Sequence, residues 1–270
     1  MSHAGTIVFA HANGFPAGVY RVLFEAWRAA GYEVRAIERI GHRATHPVSS
    51  NWPHLRDELI DFIAKGPQPA FLVGHSLGGL LSLMAACRRP ELACGLVMLD
   101  SPVITGWRAH SVQVFKQTGL IRRVSPGKVS QGRRYQWPDR DAVYQHFKSK
   151  PTFARWDDRV LRDYVACGFD DVDDTVQLGF LREVETRIYN TLPHHLGTLM
   201  RKHPPQCPVG FIAGEVSAEM RQGGTLAAKA LAGERYRTMP GGHLYAMEQP
   251  EQTAALVLSL IDSFKGAQPA

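Results

Sequence analysis

The chain has 270 residues, 44% of them hydrophobic and 21% charged, with a net charge of +6, so it is long and apolar enough to bury a full core. It contains no run of about 18 apolar residues that would suggest a membrane span, and its basic clusters, Arg122–Arg123 and Arg133–Arg134, are too sparse for a nucleic-acid stripe. The opening MSHAGTIVFAHANG carries no charged leader, and Cys87, Cys94, Cys167 and Cys207 show no CxxC spacing, so a cytoplasmic chain with free thiols is expected, without a disulfide scaffold or zinc site.

Residues 6–10 (TIVFA) are β-branched and aromatic, are bounded by Gly5 and the turn His11-Ala-Asn-Gly14, and predict a strand. Residues 18–30 place Val19, Val22, Leu23, Ala26 and Trp27 at helical spacing and stop at Gly31; residues 32–37 predict the next strand. Asn51 is positioned to cap a helix with Pro53 in its first turn and Leu55, Leu59, Phe62 and Ile63 as its buried stripe, ending at Gly66-Pro67. Residues 70–74 predict a short apolar strand, 77–88 an apolar helix ended by Pro90, and 95–99 a fully apolar strand. The pattern returns as strands at 209–213 and 235–239, with helices near 225–231 and 249–264. Apolar strands alternating with helices imply the α/β class, with a mostly parallel sheet of about six strands covered by helices on both faces.

Between Asp100 and Pro208 the rhythm changes to short amphipathic helices, such as 141–148 and 157–166, with no convincing strand. This predicts a helical cap over residues 101–205, inserted into a core made of residues 1–100 and 206–270. The aromatics Trp107, Phe115, Tyr135, Trp137, Tyr144, Phe147, Phe153 and Trp156 would form the cap's own small core or line an apolar acyl site. The acidic run Asp170-Asp171-Val-Asp173-Asp174 reads as a solvated loop and helix start, since its spacing does not match a calcium loop. Neither His42 with His46 nor His194 with His195 has a third ligand at a recognised spacing, so no metal and no cofactor are expected.

The most specific motif is Phe71-Leu-Val-Gly74-His-Ser76-Leu-Gly78-Gly79, a strand, a G-x-S-x-G turn and a helix. The turn is tight enough to strain the serine and to exclude a Cβ at Gly74 and Gly78. It presents Ser76 above the sheet at a helix N-terminus, where free N–H groups favour a developing oxyanion.

With these residues the chain resembles the α/β-hydrolase superfamily in its compact capped, esterase-like branch. The resemblance implies the α/β-hydrolase fold with Ser76 as nucleophile. It implies that His243, in Pro240-Gly-Gly-His243-Leu-Tyr-Ala-Met-Glu248-Gln-Pro250, is the general base carried over the sheet on a glycine loop. The family's H-G-x-P loop is extended here to His11-Ala-Asn13-Gly14-Phe15-Pro16. Aligned from Pro16, Phe15 supplies the first oxyanion N–H and Leu77 the second, with Asn13 as the alternative first donor and His11 as a structural loop residue. Relative to the family, the chain begins at the third strand, so the leading hairpin is expected to be missing.

The orienting acid departs from the family pattern. Serine stands where aspartate is expected, in Gly214-Glu215-Val216-Ser217, and a serine cannot stabilise an imidazolium as a carboxylate does. Asp100, at the end of the strand that feeds the cap, is the favoured replacement, with Ser217 facing it; Glu215 and Glu219 are the alternatives. The expected activity is hydrolysis of a small or medium carboxylic ester through an acyl-enzyme on Ser76, the partner being a small-molecule ester and self-association possible. A serine nucleophile argues against dehalogenase and epoxide hydrolase chemistry. Thioesterase or carbon–carbon hydrolase activity on the same residues is the alternative, and a ligand-binding protein with little turnover a more distant one.

Overall fold

The computed structural model describes residues 4–265; residues 1–3, the front of the segment read as leaderless, lie outside them. In chain order the elements are β1 (Thr6–Ala10), α1 (Arg21–Ala29), β2 (Glu33–Ala36), α2 (Pro53–Ala64), β3 (Ala70–His75), α3 (Leu77–Arg88) and β4 (Ala93–Leu99). The segment that follows holds α4 (Gly106–Gln117), α5 (Ile121–Val124), α6 (Gly127–Gly132), β5 (Gln136–Trp137), α7 (Arg140–Lys148), α8 (Pro151–Ala154), α9 (Asp158–Cys167), β6 (Phe169–Val172), β7 (Thr175–Leu178), α10 (Arg182–Asn190) and α11 (Leu196–Lys202). The chain then closes with β8 (Val209–Gly214), α12 (Ala218–Gly223), α13 (Leu226–Ala232), β9 (Tyr236–Met239), α14 (Tyr245–Glu248) and α15 (Pro250–Lys265).

Six strands form one sheet in the order β2-β1-β3-β4-β8-β9, every neighbouring pair parallel. The period of two splits each central strand between two apolar layers. Ile7, Phe9, Phe71, Val73, Val97 and Leu99 face α1 and α15, packing with Leu23, Trp27, Ile261 and Phe264. Val8, Ala10, Leu72, Leu96 and Met98 face α2, α3 and α13, packing with Leu55, Ile63, Leu81, Met84 and Ala228. Burial on both faces is what continuous apolar strands require, and the sheet and its flanking helices are those the sequence predicts.

Three local expectations fail. Asn51 does not cap α2: its Oδ1 accepts from the His194 N–H (3.1 Å) and from Lys116 Nζ (3.1 Å), and Trp52, at φ 58°, precedes the helix. The inserted segment is also not wholly helical, because β5, β7 and β6 form a three-stranded antiparallel sheet. The acidic run is the β6–β7 hairpin, turning at Asp173 with φ 50°, rather than a loop and helix start. The carboxylates of Asp170 and Asp171 take ion pairs from Arg39 and Arg140 at the hairpin's exposed edge. Among the segment's aromatics, Trp137, Phe147 and Trp156 are buried in a shared apolar layer, whereas Trp107, Phe115 and Tyr135 are exposed. The four cysteines are unpaired, and no helix among the described residues is long and apolar enough to cross a membrane.

Candidate active site

Three strand ends on one edge of the sheet supply the site. After β3 the chain reverses into α3 through Ser76, whose φ of 54° and ψ of −114° are a strained conformation for a side-chain-bearing residue. Close packing explains the flanking glycines: a Cβ on Gly74 would lie 2.3 Å from the Gly78 carbonyl carbon, and one on Gly78 would lie 1.9 Å from Ala10 O. The strained turn is held from below, where the Ser76 N–H donates to Leu99 O at 2.9 Å. Asp100 follows β4 at φ 42°, its N–H fixed on Ile212 O at 2.8 Å. His243 arrives on the loop after β9, over Gly241 and Gly242.

The three side chains form one line. His243 Nε2 lies 2.9 Å from Ser76 Oγ, and His243 Nδ1 lies 2.6 Å from Asp100 Oδ2. Asp100 is fully buried and accepts two further hydrogen bonds, from Gly214 N–H to Oδ1 (2.6 Å) and from Ser217 Oγ to Oδ2 (2.6 Å). Ser217 Oγ accepts from the Met220 N–H at 3.2 Å, and of the two carboxylates its proton can reach, Asp100 Oδ2 at 2.6 Å is much nearer than Glu219 Oε2 at 3.4 Å. Asp100 is thereby held as an acceptor. His243 must then carry its proton on Nδ1, which leaves the Nε2 lone pair facing the serine hydroxyl.

The rival carboxylates are placed differently. Glu215 is exposed and, among the described residues, makes no hydrogen bond or ion pair with His243. Glu219 Oε2 approaches His243 Nδ1 only to 3.9 Å from a half-exposed position. Asp100, Glu219 and His243 are also the one group of three metal-capable side chains among the described residues, and an ion there would have to break the His243–Asp100 hydrogen bond.

The two expected main-chain donors differ in availability. Leu77 opens α3, and no acceptor among the described residues takes its N–H. The Phe15 N–H, expected to supply the first oxyanion donor, instead donates to Ala12 O at 3.1 Å. Ala12-Asn13-Gly14-Phe15 is a turn with φ 83° at Gly14, and it leaves the Asn13 N–H without an acceptor among the described residues. The Asn-Gly dipeptide is the signal that alignment from Pro16 passed over.

Burial shifts several groups around this line. His11 is pushed down to about 4 by burial, and its Nε2 accepts from the Ile40 N–H at 2.8 Å, which makes it the structural loop residue expected. His75, beside the serine, is pushed down to about 3 by burial. In α10 the Glu185 carboxyl is raised by burial, with Arg133 Nη2 at 2.7 Å opposing the rise, and it packs against Gly14. Neither His75 nor Glu185 stood out in the sequence, where one is the variable position of a motif and the other an ordinary helical glutamate. A cavity of about 630 Å³ between Arg21, Arg35, Glu38, Asp163 and Cys167 touches none of the three aligned side chains.

The chain belongs to the alpha/beta hydrolase family, which matches it over residues 7–256. It is 29% identical to mouse (Mus musculus) monoglyceride lipase over 128 residues, covering 44% of this chain and 42% of that enzyme. It thus spans less than half the length of this curated relative. In structure it is similar to E-2-(acetamidomethylene)succinate hydrolase, with TM-score 0.72, 21% identity, and coverage of 97% of this chain and 92% of that one. It is likewise similar to the thioesterase domain from the curacin biosynthetic pathway, with TM-score 0.71, 17% identity, and coverage of 94% and 90%. At these identities the structural likenesses establish the fold.

Proposed function

We propose that the chain is a serine hydrolase acting on a small or medium carboxylic ester, with an acyl-enzyme on Ser76, His243 as general base and acid, and Asp100 as the orienting carboxylate. The observation that carries this reading is the unbroken line Ser76 Oγ–His243–Asp100, with its single allowed tautomer. As Ser76 Oγ bonds to the ester carbonyl carbon, its proton passes to His243 Nε2 and the carbonyl electrons move onto oxygen. The N–H groups of Leu77 and Asn13 are the donors available to that oxyanion. His243 returns the proton to the departing alkoxide, and a water molecule then repeats the cycle on the acyl-enzyme, releasing the acid and restoring Ser76. Asp100, already accepting from Gly214 and Ser217, receives the developing imidazolium without rearrangement.

In this reading residues 101–205 act as a cap that selects the acyl group. Supporting contacts tie the segment to the site loops: Asn13 Nδ2 donates to Glu185 O at 3.1 Å, the Asp157 N–H to Met247 O at 3.0 Å, and Arg155 pairs with Glu248 at 3.0 Å. The named activity of the mouse relative, a lipase, is compatible with an ester substrate.

The test is fluorophosphonate labelling together with a hydrolysis screen of esters across acyl-chain length, using Ser76→Ala as the blank. Labelling at Ser76 and ester turnover lost in the blank are expected. An unlabelled Ser76, or a thioester or vinylogous diketone turned over far faster than any ester, overturns the assignment to ester hydrolysis.

A further inference from the structure

A second line of hydrogen bonds runs beneath the first, and nothing in the ester mechanism uses it. The Ala12 N–H donates to Tyr20 Oη (3.2 Å), Tyr20 Oη meets His75 Nδ1 (2.7 Å), and His75 Nε2 meets the carbonyl oxygen of His243 (2.8 Å). Tyr20 and His75 are both fully buried. The two ends fix every proton between them. A main-chain N–H can only donate and a carbonyl can only accept, so His75 carries its proton on Nε2, and Tyr20 donates to the bare Nδ1 while accepting from Ala12. A second proton on His75 would reverse the Tyr20 bond and leave the Tyr20 hydroxyl proton without its acceptor, and burial holds the ring neutral.

Both ends of this chain belong to the site. Ala12 opens the turn that carries the Asn13 N–H, and its carbonyl accepts from Phe15 N–H and from His11 Nδ1 (2.8 Å). His243 is held through its side chain by Ser76 and Asp100, but it follows Gly241 (φ 114°) and Gly242, which impose little on the backbone. Among the described residues, the bond from His75 is the only one made by the main chain of His243.

We propose that Tyr20 and His75 are positioning residues for the reaction assigned to Ser76: one buried, one-directional hydrogen-bond chain holds the oxyanion turn and the base loop in fixed register. This rests on the hydrolase reading above. Neither residue hydrogen-bonds to the side chains of Ser76, His243 or Asp100: Tyr20 acts through the Ala12 N–H and through His75, and His75 acts through the His243 carbonyl and through its ring, which packs 5.1 Å, centroid to centroid, from the His243 ring.

The experiment has three parts. Long-range ¹H–¹⁵N NMR of the wild-type histidine rings is expected to show neutral His75 protonated on Nε2 and neutral His11 protonated on Nδ1 throughout the working pH range. Tyr20→Phe, which keeps the ring but removes donor and acceptor, is expected to slow fluorophosphonate labelling of Ser76 and kcat by about tenfold, with KM changed less than about twofold, as misplacement rather than lost binding predicts. Tyr20→Phe combined with His75→Gln is expected to cost no more than the larger single loss, because both changes break one chain. A His75 ring protonated on Nδ1, or a folded Tyr20→Phe protein that is labelled at the wild-type rate and changes only in melting temperature, overturns the proposal. Should Tyr20→Phe fail to fold, the ring tautomer and His75→Gln alone decide, the latter being required to lower kcat without raising KM. Failure of wild-type Ser76 to label would instead overturn the hydrolase reading, with the tautomer result unaffected.

Discussion

Asp100 shows how far single residues can be read without a structure and where such reading stops. Its candidacy came from what the sequence lacks, an aspartate between Gly214 and Gly224, and the structure adds the three donors that surround its carboxylate. Asp100→Asn should place an amide N–H either against His243 and Ser217 together or against the Gly214 N–H, and in both cases remove the negative charge facing the imidazole, lowering kcat by about 10³–10⁴-fold with the fold intact if the proposed mechanism holds. Glu215→Gln should change kcat by less than about twofold, because that side chain is exposed and, among the described residues, makes no hydrogen bond or ion pair with the imidazole. Ester turnover by the two variants, each checked by circular dichroism, measures both, and the reverse ranking would remove Asp100 from the mechanism. Phe15 went the other way. Its backbone role follows from aligning the resembled family's H-G-x-P loop at Pro16, whereas the Asn13-Gly14 turn consumes its N–H.

Among the elements, those of the parallel sheet were legible because burial on both faces demands unbroken apolar strands, and turn residues punctuate them. The elbow was legible because its glycines answer a steric need. Gly78→Ala should therefore be among the most damaging small substitutions in the chain: with Ala10 O 1.9 Å from the new Cβ, β1 and α3 must separate. A loss above about 4 kcal/mol is expected, read as a lowered urea midpoint or as failure to accumulate folded protein. The β6–β7 hairpin was not legible. Its first strand, Phe169-Asp-Asp-Val172, mixes acids with apolar residues and its exposed acids find arginines from elsewhere in the chain, while its second, Thr175-Val-Gln-Leu178, alternates over only four residues. Pairing by distant partners leaves no local pattern to read.

For the molecule as a whole, buried neutral histidines couple stability to pH. His11 and His75 titrate at about 4 and about 3 in the folded chain, against 6.5 for the unperturbed side chain. Between those values the unfolded chain binds protons that the folded chain does not, so stability rises with pH. The contribution is complete above about pH 6.5 and is lost as pH falls, at roughly 1.4 kcal/mol per pH unit for each histidine. Urea midpoints measured from pH 7.5 down to pH 4.5 should fall progressively, and His11→Gln should flatten the slope. A slope that is flat, or that steepens in the variant, would show that neither ring is held neutral by the fold.

The 2.6 Å contact between Ser217 Oγ and Asp100 Oδ2 makes positions 100 and 217 two addresses for a single negative charge. Both cannot be occupied comfortably, because two carboxylates at that separation would share a proton and leave the imidazole without a full countercharge. On the proposed mechanism, both cannot be vacant either, so a lineage moving its acid between positions 100 and 217 would cross either an overcharged or an acid-less intermediate, a barrier to be passed in two coordinated steps. Ser217→Asp alone should impair turnover, Asp100→Asn alone should nearly abolish it, and the two together should recover at least about tenfold over Asp100→Asn. Such a recovery would show that the acid can be relocated within this site without rebuilding the fold around it.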